Sequence, residues 1–182
     1  MNLIEVYDKV ISFLNKEKFE YIVIGGIAVG VLGELRATGD IDIDIILDKR
    51  DIEDFLNKVK KNGFEYSKNE CVKRAKETGT FQIKLGDYHI DFIIASIELE
   101  KEAIKRKQII KVLDVKSNLP TAENLILLKI IAGRQKDIMD AKNIVIKNKG
   151  KLDKKYLIKW AQKISDEMES GRVYNEIKNL DL

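Results

Sequence analysis

Four aspartates set the chemical question. The stretch Asp40 to Leu47 reads DIDIDIIL, a strict alternation that puts Asp40, Asp42 and Asp44 on one face of a strand and Ile41, Ile43 and Ile45 on the other. The fourth acid, Asp91, sits between Ile90 and Phe92 in a run that also reads as a strand. Carboxylates crowded on neighbouring strands are costly: two of them about 7 Å apart repel by roughly 2 to 3 kcal/mol at an effective dielectric of about 20. A divalent cation removes that penalty, and a pair of them aligns attacking and leaving oxygens around a phosphorus. The plainer alternative is that the acids form the wet face of an edge strand.

A glycine pair precedes the acids. Tyr21 to Ile24 is continuously apolar and runs into Gly25-Gly26, so a buried strand is expected to turn sharply into a helix over Ile27 to Leu32, closed by Gly33. Backbone N–H groups and the positive end of the helix dipole at such a turn suit a triphosphate. Arg36 and Thr38 come close enough before the acids to line the same cleft.

The elements that must position these residues follow from periodicity. Asn2 to Phe19 carries Leu3, Val6, Tyr7, Val10, Ile11 and Leu14 at helical spacing. Asp51 to Lys60 predicts a second amphipathic helix. Thr80 to Leu85 and Tyr88 to Ile94 read as a hairpin about Gly86-Asp87, with Leu85 opposite Tyr88, Ile83 opposite Ile90 and Gln82 opposite Asp91. That register puts Gln82, Lys84, His89 and Asp91 on one side and the apolar residues on the other. Gln108 to Val115 predicts one further strand. After Pro120 the chain reads as helical, with Thr121 capping Ala122 to Ala132, Gly133 ending it, and helices over Asp137 to Lys147, Asp153 to Ile164 and Gly171 to Leu180.

Composition narrows the classes. With 182 residues and 45% hydrophobic content, one sizeable core is expected. Apolar runs stay well short of the roughly 20 residues of a membrane span, and the N-terminal residues lack the order of a secretion signal, so a cytoplasmic protein without membrane partners is expected. A single cysteine, Cys71, excludes an internal disulfide, and with only His89 beside it there is no soft ligand set for zinc. Any metal is therefore expected on oxygen, which points to Mg²⁺ or Mn²⁺. The net charge of +3 is small, but Ala141 to Trp160 holds seven lysines against Asp153 alone. Such a segment is either a solvated helix face or a phosphate contact.

The run YIVIGGIAVGVLGELRATGDIDIDI resembles the signature of polymerase β-type nucleotidyltransferases: an apolar strand, a glycine pair, a spacer, then Asp-x-Asp. Gly25, Gly26, Asp40 and Asp42 fall on its positions, and Ile90-Asp91-Phe92 matches the third carboxylate that the family carries on a later strand. The resemblance implies an α/β (α+β) nucleotidyltransferase-like mixed sheet flanked by helices over residues 1–115, with a C-terminal helical segment, 116–182, packed on it. It implies that Asp40, Asp42 and Asp91 are catalytic and hold the metal, that Asp91 also acts as base, and that an NTP is substrate. Asp44 has no counterpart in the motif and is expected at the rim of the site.

Arg36-x-Thr38-x-Asp40-Ile-Asp42, together with ENLILLKIIAGRQKDIMDAKNI, is similar to AbiEii-type toxin nucleotidyltransferases and their uncharacterised relatives. That likeness marks Lys129, Arg134 and Lys136 as nucleotide-binding candidates beside Gly25, Gly26, Arg36 and Thr38. Lys129 is the only charge between Leu125 and Ala132, so its ammonium either snorkels out or faces an anion. Arg134, Lys136, Asp137 and Asp140 also have the spacing of ordinary helical ion pairs. Toxin relatives imply an RNA end or a protein as acceptor, and a cognate antitoxin as partner. A resemblance to aminoglycoside and lincosamide adenylyltransferases implies instead a small hydroxylated acceptor. A catalytically idle nucleotide-binding module is the remaining alternative.

Overall fold

The computed structural model describes residues 1–35 and 38–182. Its first helix, α1 (Leu3–Lys16), starts at Asn2, whose side chain accepts from the Glu5 N–H at 3.0 Å while Glu5 accepts from the Asn2 N–H at 2.9 Å. This reciprocal cap satisfies two N–H groups that a helix start leaves orphaned. The inward stripe is Val6, Tyr7, Val10, Ile11, Phe13 and Leu14, all buried.

Four strands form the central sheet: β1 (Tyr21–Val23), β2 (Ile41–Ile45), β3 (Thr80–Leu85) and β4 (Tyr88–Ile94). Their order is β1-β2-β4-β3, with β2 parallel to β4 and the other two pairings antiparallel. The β3–β4 hairpin has the register expected from Gly86-Asp87, including Gln82 opposite Asp91 and Ile83 opposite Ile90. One face of the sheet is core. Ile41, Ile43, Ile45, Phe81, Ile83, Ile90 and Phe92 are buried there, under α1 residues and the helix α3 (Ile52–Lys61), which follows a 3-10 turn at Lys49–Asp51. Phe55 of α3 meets the stacked rings of Phe81 and Phe92 edge-on, an arrangement that suits the aromatic quadrupoles.

Between β1 and β2 lies α2 (Gly25–Leu32), which begins at the glycine pair itself, two residues earlier than the periodicity predicts. Two helices were not legible. The first, α4 (Lys68–Thr78), buries only Cys71 and Ala75, too few apolar positions to show a period. The second, α5 (Glu98–Lys105), is short and is started by Glu100, whose carboxylate accepts from the N–H groups of Ser96 and Ile97 at 2.6 and 3.1 Å.

The single strand expected over Gln108 to Val115 is corrected to a hairpin, β5 (Gln108–Val112) and β6 (Val115–Leu119), forming its own two-stranded sheet. Its turn is Leu113-Asp114, both at positive φ. A leucine is a poor signal for such a turn, which normally announces itself with Asn or Gly.

The C-terminal part is helical: α6 (Ala122–Ala132), α7 (Gln135–Lys147), α8 (Lys154–Glu167) and α9 (Arg172–Lys178). Thr121 caps α6 by accepting from the Asn124 N–H at 3.2 Å. At the other end Gly133 takes a left-handed φ of +68°, and the Arg172 guanidinium donates to the carbonyls of Ile130 and Ile131 at 2.8 and 2.9 Å. Those bonds satisfy carbonyls that the last turn leaves free and pin α9 to α6. Leu125, Ile126, Leu127 and Ile130 join the same apolar cluster as the sheet and α1. Among the described residues no helix is long and apolar enough to cross a membrane.

Candidate active site

The opposite face of the sheet carries the acids. Because β2 and β4 run parallel in register, Asp42 stands directly opposite Asp91. Adjacent strands are about 4.8 Å apart, so two residues in register on one face are neighbours. Gln82 of β3 continues the row: its amide donates to Asp91 Oδ1 at 2.8 Å, and its Oε1 lies 2.8 Å from His89 Nδ1. The shared face of Gln82, His89 and Asp91 was legible; the bonds linking them were not.

The glycine turn is built against Asp42. Gly25 has φ +63°, a left-handed conformation, and a Cβ there would sit 1.8 Å from Asp42 Oδ2. Only glycine fits both conditions. A Cβ on Gly26 would lie 2.7 Å from Thr38, whose hydroxyl donates to the Asp40 carbonyl at 3.2 Å. The Ile24 N–H bonds the Asp42 carbonyl at 2.9 Å, locking turn to strand. Among the described residues no side chain caps the start of α2.

These residues line a cleft of about 330 Å³. Gly25, Gly26, Thr38, Asp40 and Asp42 meet there with Lys129 and Ala132 of α6 and with Arg134 and Lys136 from the start of α7. Asp91 lies beside it on β4, and Arg36 falls outside the described residues. Burial, then the Asp91 and Asp40 carboxylates, push the Asp42 carboxyl above the usual carboxylate range; Lys129 and Lys136 oppose them. The acids therefore repel one another with only partial relief from the protein's own cations.

The cations themselves are not equally available. Lys129 is 7% exposed, and its ammonium is 3.0 Å from Asp137 Oδ1 and 2.9 Å from Asp140 Oδ2. It neither snorkels out nor stands free before an anion. Asp137 also accepts from Arg134 Nε and Nη2. Burial works against its charge, yet the bonds from Arg134 and Lys129 prevail and hold the Asp137 carboxyl below its ordinary range. Arg134 is 63% exposed, and Lys136 lies beside it on the cleft wall. The pairs that helical spacing suggested are thus partly real, but Lys129 ties them across two helices.

Asp44 departs from its expected place at the rim. It is 1% exposed and lines the cleft, because β2 runs on beneath α5. Burial, then Glu100 and Asp42, raise its carboxyl well above the usual range. Nothing in the spacing had marked Glu100.

The donor set suits a hard divalent cation: it is all oxygen, it comes from adjacent strands, and its mutual repulsion is what a cation relieves. Among the described residues no three acidic, histidine or cysteine side chains gather at one point. Asp42 leans on Gly25, and Asp91 is held by Gln82.

Residues 1–180 match a family described as "Nucleotidyltransferase of unknown function (DUF6036)". The chain belongs to that family. This nucleotidyltransferase is similar in fold to the solution structure of the antibiotic-resistance factor ANT(2'')-Ia, with a TM-score of 0.62 at 13% identity over 91% of this chain and 95% of that one. It is also similar to the lincosamide antibiotic adenylyltransferase LnuA, lincomycin-bound, with a TM-score of 0.51 at 18% identity over 79% of this chain and 96% of that one. At such identities the likeness is one of fold. No curated protein matches the sequence. The nucleotidyltransferase activity that the sequence resemblance implies, transfer of a nucleoside monophosphate from an NTP, agrees with the family.

Proposed function

We propose that this nucleotidyltransferase uses Asp40, Asp42 and Asp91 as its metal-binding and catalytic acids and transfers the nucleotide to a hydroxyl of a small polar molecule. The observation that supports the acids most is the direct pairing of Asp42 with Asp91 beside a glycine turn with no room for a side chain. Bound Mg²⁺ or Mn²⁺ would neutralise charge developing on the phosphates. The uncapped N–H groups of α2 at Gly25 and Gly26 donate to phosphate oxygens, with Thr38, Arg134 and Lys136 on the same wall. Lys129 acts at one remove, by holding Asp137 and Asp140 so that α7 presents Arg134 and Lys136 to the cleft. The acceptor oxygen bonds the α-phosphorus, the bond to the β-phosphate oxygen breaks, pyrophosphate leaves, and the hydroxyl proton passes to Asp91. Gln82 keeps the Asp91 carboxylate oriented for that transfer.

For the acceptor, a second cavity of about 300 Å³ adjoins Gln82 and is lined by Glu65, Tyr66, Ser67, Glu70, Arg74 and Lys84. Its size and mixed polarity suit a small hydroxylated molecule. The neighbours ANT(2'')-Ia and LnuA, a resistance factor and an antibiotic adenylyltransferase by description, accord with that choice. An RNA end or a protein side chain, with an AbiEii-like toxin role and a cognate antitoxin, is the second reading. That reading comes from the resemblance to toxin relatives, with which the lysine-rich segment is compatible. There, however, Lys147 donates to the Val31 carbonyl, Lys149 pairs with Asp181, and Lys154 donates to the Leu182 carbonyl. All four labelled NTPs with Mg²⁺, offered to a panel of hydroxylated small molecules, to RNA and to protein, separate the two. Label in the small-molecule fraction is expected; label in RNA or protein alone would replace the first reading by the second.

A further inference from the structure

The cleft continues past the catalytic acids. From Asp40 at the mouth, just ahead of β2, the exposure falls through half-buried Asp42 to Asp44, which is 1% exposed. Around Asp44 the lining changes character, with Ile24, Ile93, Ile97, Leu125, Leu128 and Ile131 supplying apolar walls. Glu100 also lines this end, but its Oε2 is already taken by the Ser96 and Ile97 N–H groups. Asp44 Oδ1 is different: it is fully buried and has no hydrogen-bond partner among the described residues.

A buried acceptor with no donor is costly, and such groups in folded proteins almost always find a partner. Apolar walls with one unsatisfied acceptor form the recess that a flat heteroaromatic ring with an N–H edge fills. The spacing fits as well. Two residues along a strand span about 7 Å, close to the reach of a ribose between its phosphate and its base. Because Gly25 and Gly26 line the same cleft, its occupant is continuous with the triphosphate, whereas the proposed acceptor cavity lies beyond Asp91 on the side of Gln82.

We propose that Asp44 selects the nucleobase, its Oδ1 accepting a hydrogen bond from an exocyclic amino group at the apolar end of the cleft. This rests on the function proposed above, because the base is located relative to Gly25, Asp40 and Asp42. Asp44 is here a specificity residue, outside the chemistry of transfer.

Binding by calorimetry in the presence of Mg²⁺ tests it, with triphosphates paired by the presence or absence of the amino group: ATP against purine riboside triphosphate, GTP against ITP, CTP against UTP. In the wild-type chain the amino partner of at least one pair is expected to bind about tenfold tighter. In Asp44→Leu the two members of that pair should differ by less than about twofold. Asp44→Val, with a β-branched side chain suited to a strand, serves as second variant if the first does not melt cooperatively. Equal binding within every pair by the wild type overturns the assignment of Asp44 and leaves the proposed reaction standing. So does a preference that survives both variants. Failure of every triphosphate to bind overturns the base site and the proposed reaction together.

Discussion

Two clusters of acids flank one cleft, one buried and one partly exposed, and the protein treats them in opposite ways. On α6 and α7, Asp137 and Asp140 are neutralised in place by Lys129, with Arg134 closing over Asp137. On β2 and β4, Asp42 faces Asp91 with Asp40 close by, and their repulsion persists. The first cluster is complete without a ligand and ties two helices together. The second is held in an unfavourable arrangement by strand register and by a glycine that leaves no room for a side chain, which accords with the binding role proposed for it.

The sharpest way to break this contrast is to remove one acid from each cluster's logic. Asp42→Asn should lower pyrophosphate release by about a thousandfold or more while leaving the chain folded, with a melting temperature equal to or above wild type. The same turnover as wild type would show that the acids on β2 are idle. In the other cluster the cost should fall on the fold. Lys129→Met leaves Asp137 and Asp140 buried without their ammonium, and a loss of about 3 kcal/mol in denaturant unfolding is expected. Activity should follow only as far as α7 shifts. A variant as stable as wild type would mean that the ion pairs do not hold α7 to α6.

The two clusters were unequally legible in the sequence. That Asp40 and Asp42 share a face, and that Gln82 lies opposite Asp91, was readable from alternation and from the register set by Gly86-Asp87, whereas the grouping of Asp91 with Asp40 and Asp42 came from the family resemblance. Lys129 was readable as an anomaly, a lone charge in an apolar helix, but its partners lie past Gly133 on the next helix, and spacing within one helix does not reveal contacts across a turn. Asp44 was misplaced for a related reason. Alternation tells which residues share a face, not where along the strand that face becomes covered. The covering elements include α5, whose start depends on Glu100 bonding the Ser96 and Ile97 N–H groups, a device with no periodic signature.

Gly25→Ala probes how the acid cluster is held apart from the backbone. At φ +63° an alanine costs about 1 to 2 kcal/mol in conformation alone. Its methyl would also occupy the place of Asp42 Oδ2, so triphosphate affinity should fall along with stability. Thermal unfolding and calorimetric titration with ATP measure the two separately. A stable variant with unchanged affinity would remove the turn from the site.

Asp44→Asn sharpens the comparison most finely, because it changes a slope and not a height. The Asp44 carboxyl is raised in the folded state by burial, then by Glu100 and Asp42. In the unfolded chain it returns to about 3.9. Between those two values the folded state binds the extra proton, so stability falls as pH rises through that window. Asparagine does not titrate and should flatten this part of the pH–stability curve. The variant is therefore expected to gain relative to wild type as pH climbs from about 4 towards neutrality, and to show no such gain below about pH 4. Asp137, held below its ordinary range, contributes with the opposite sign: its stabilisation is present above its unfolded value and is lost as pH falls through the lowered one. The Lys129→Met background, which removes one of the two cations holding Asp137, should reduce that acid-side loss while leaving the Asp44 slope intact. Parallel slopes in the two variants would mean that the clusters titrate as one unit, and the contrast between satisfied and unsatisfied acids would dissolve.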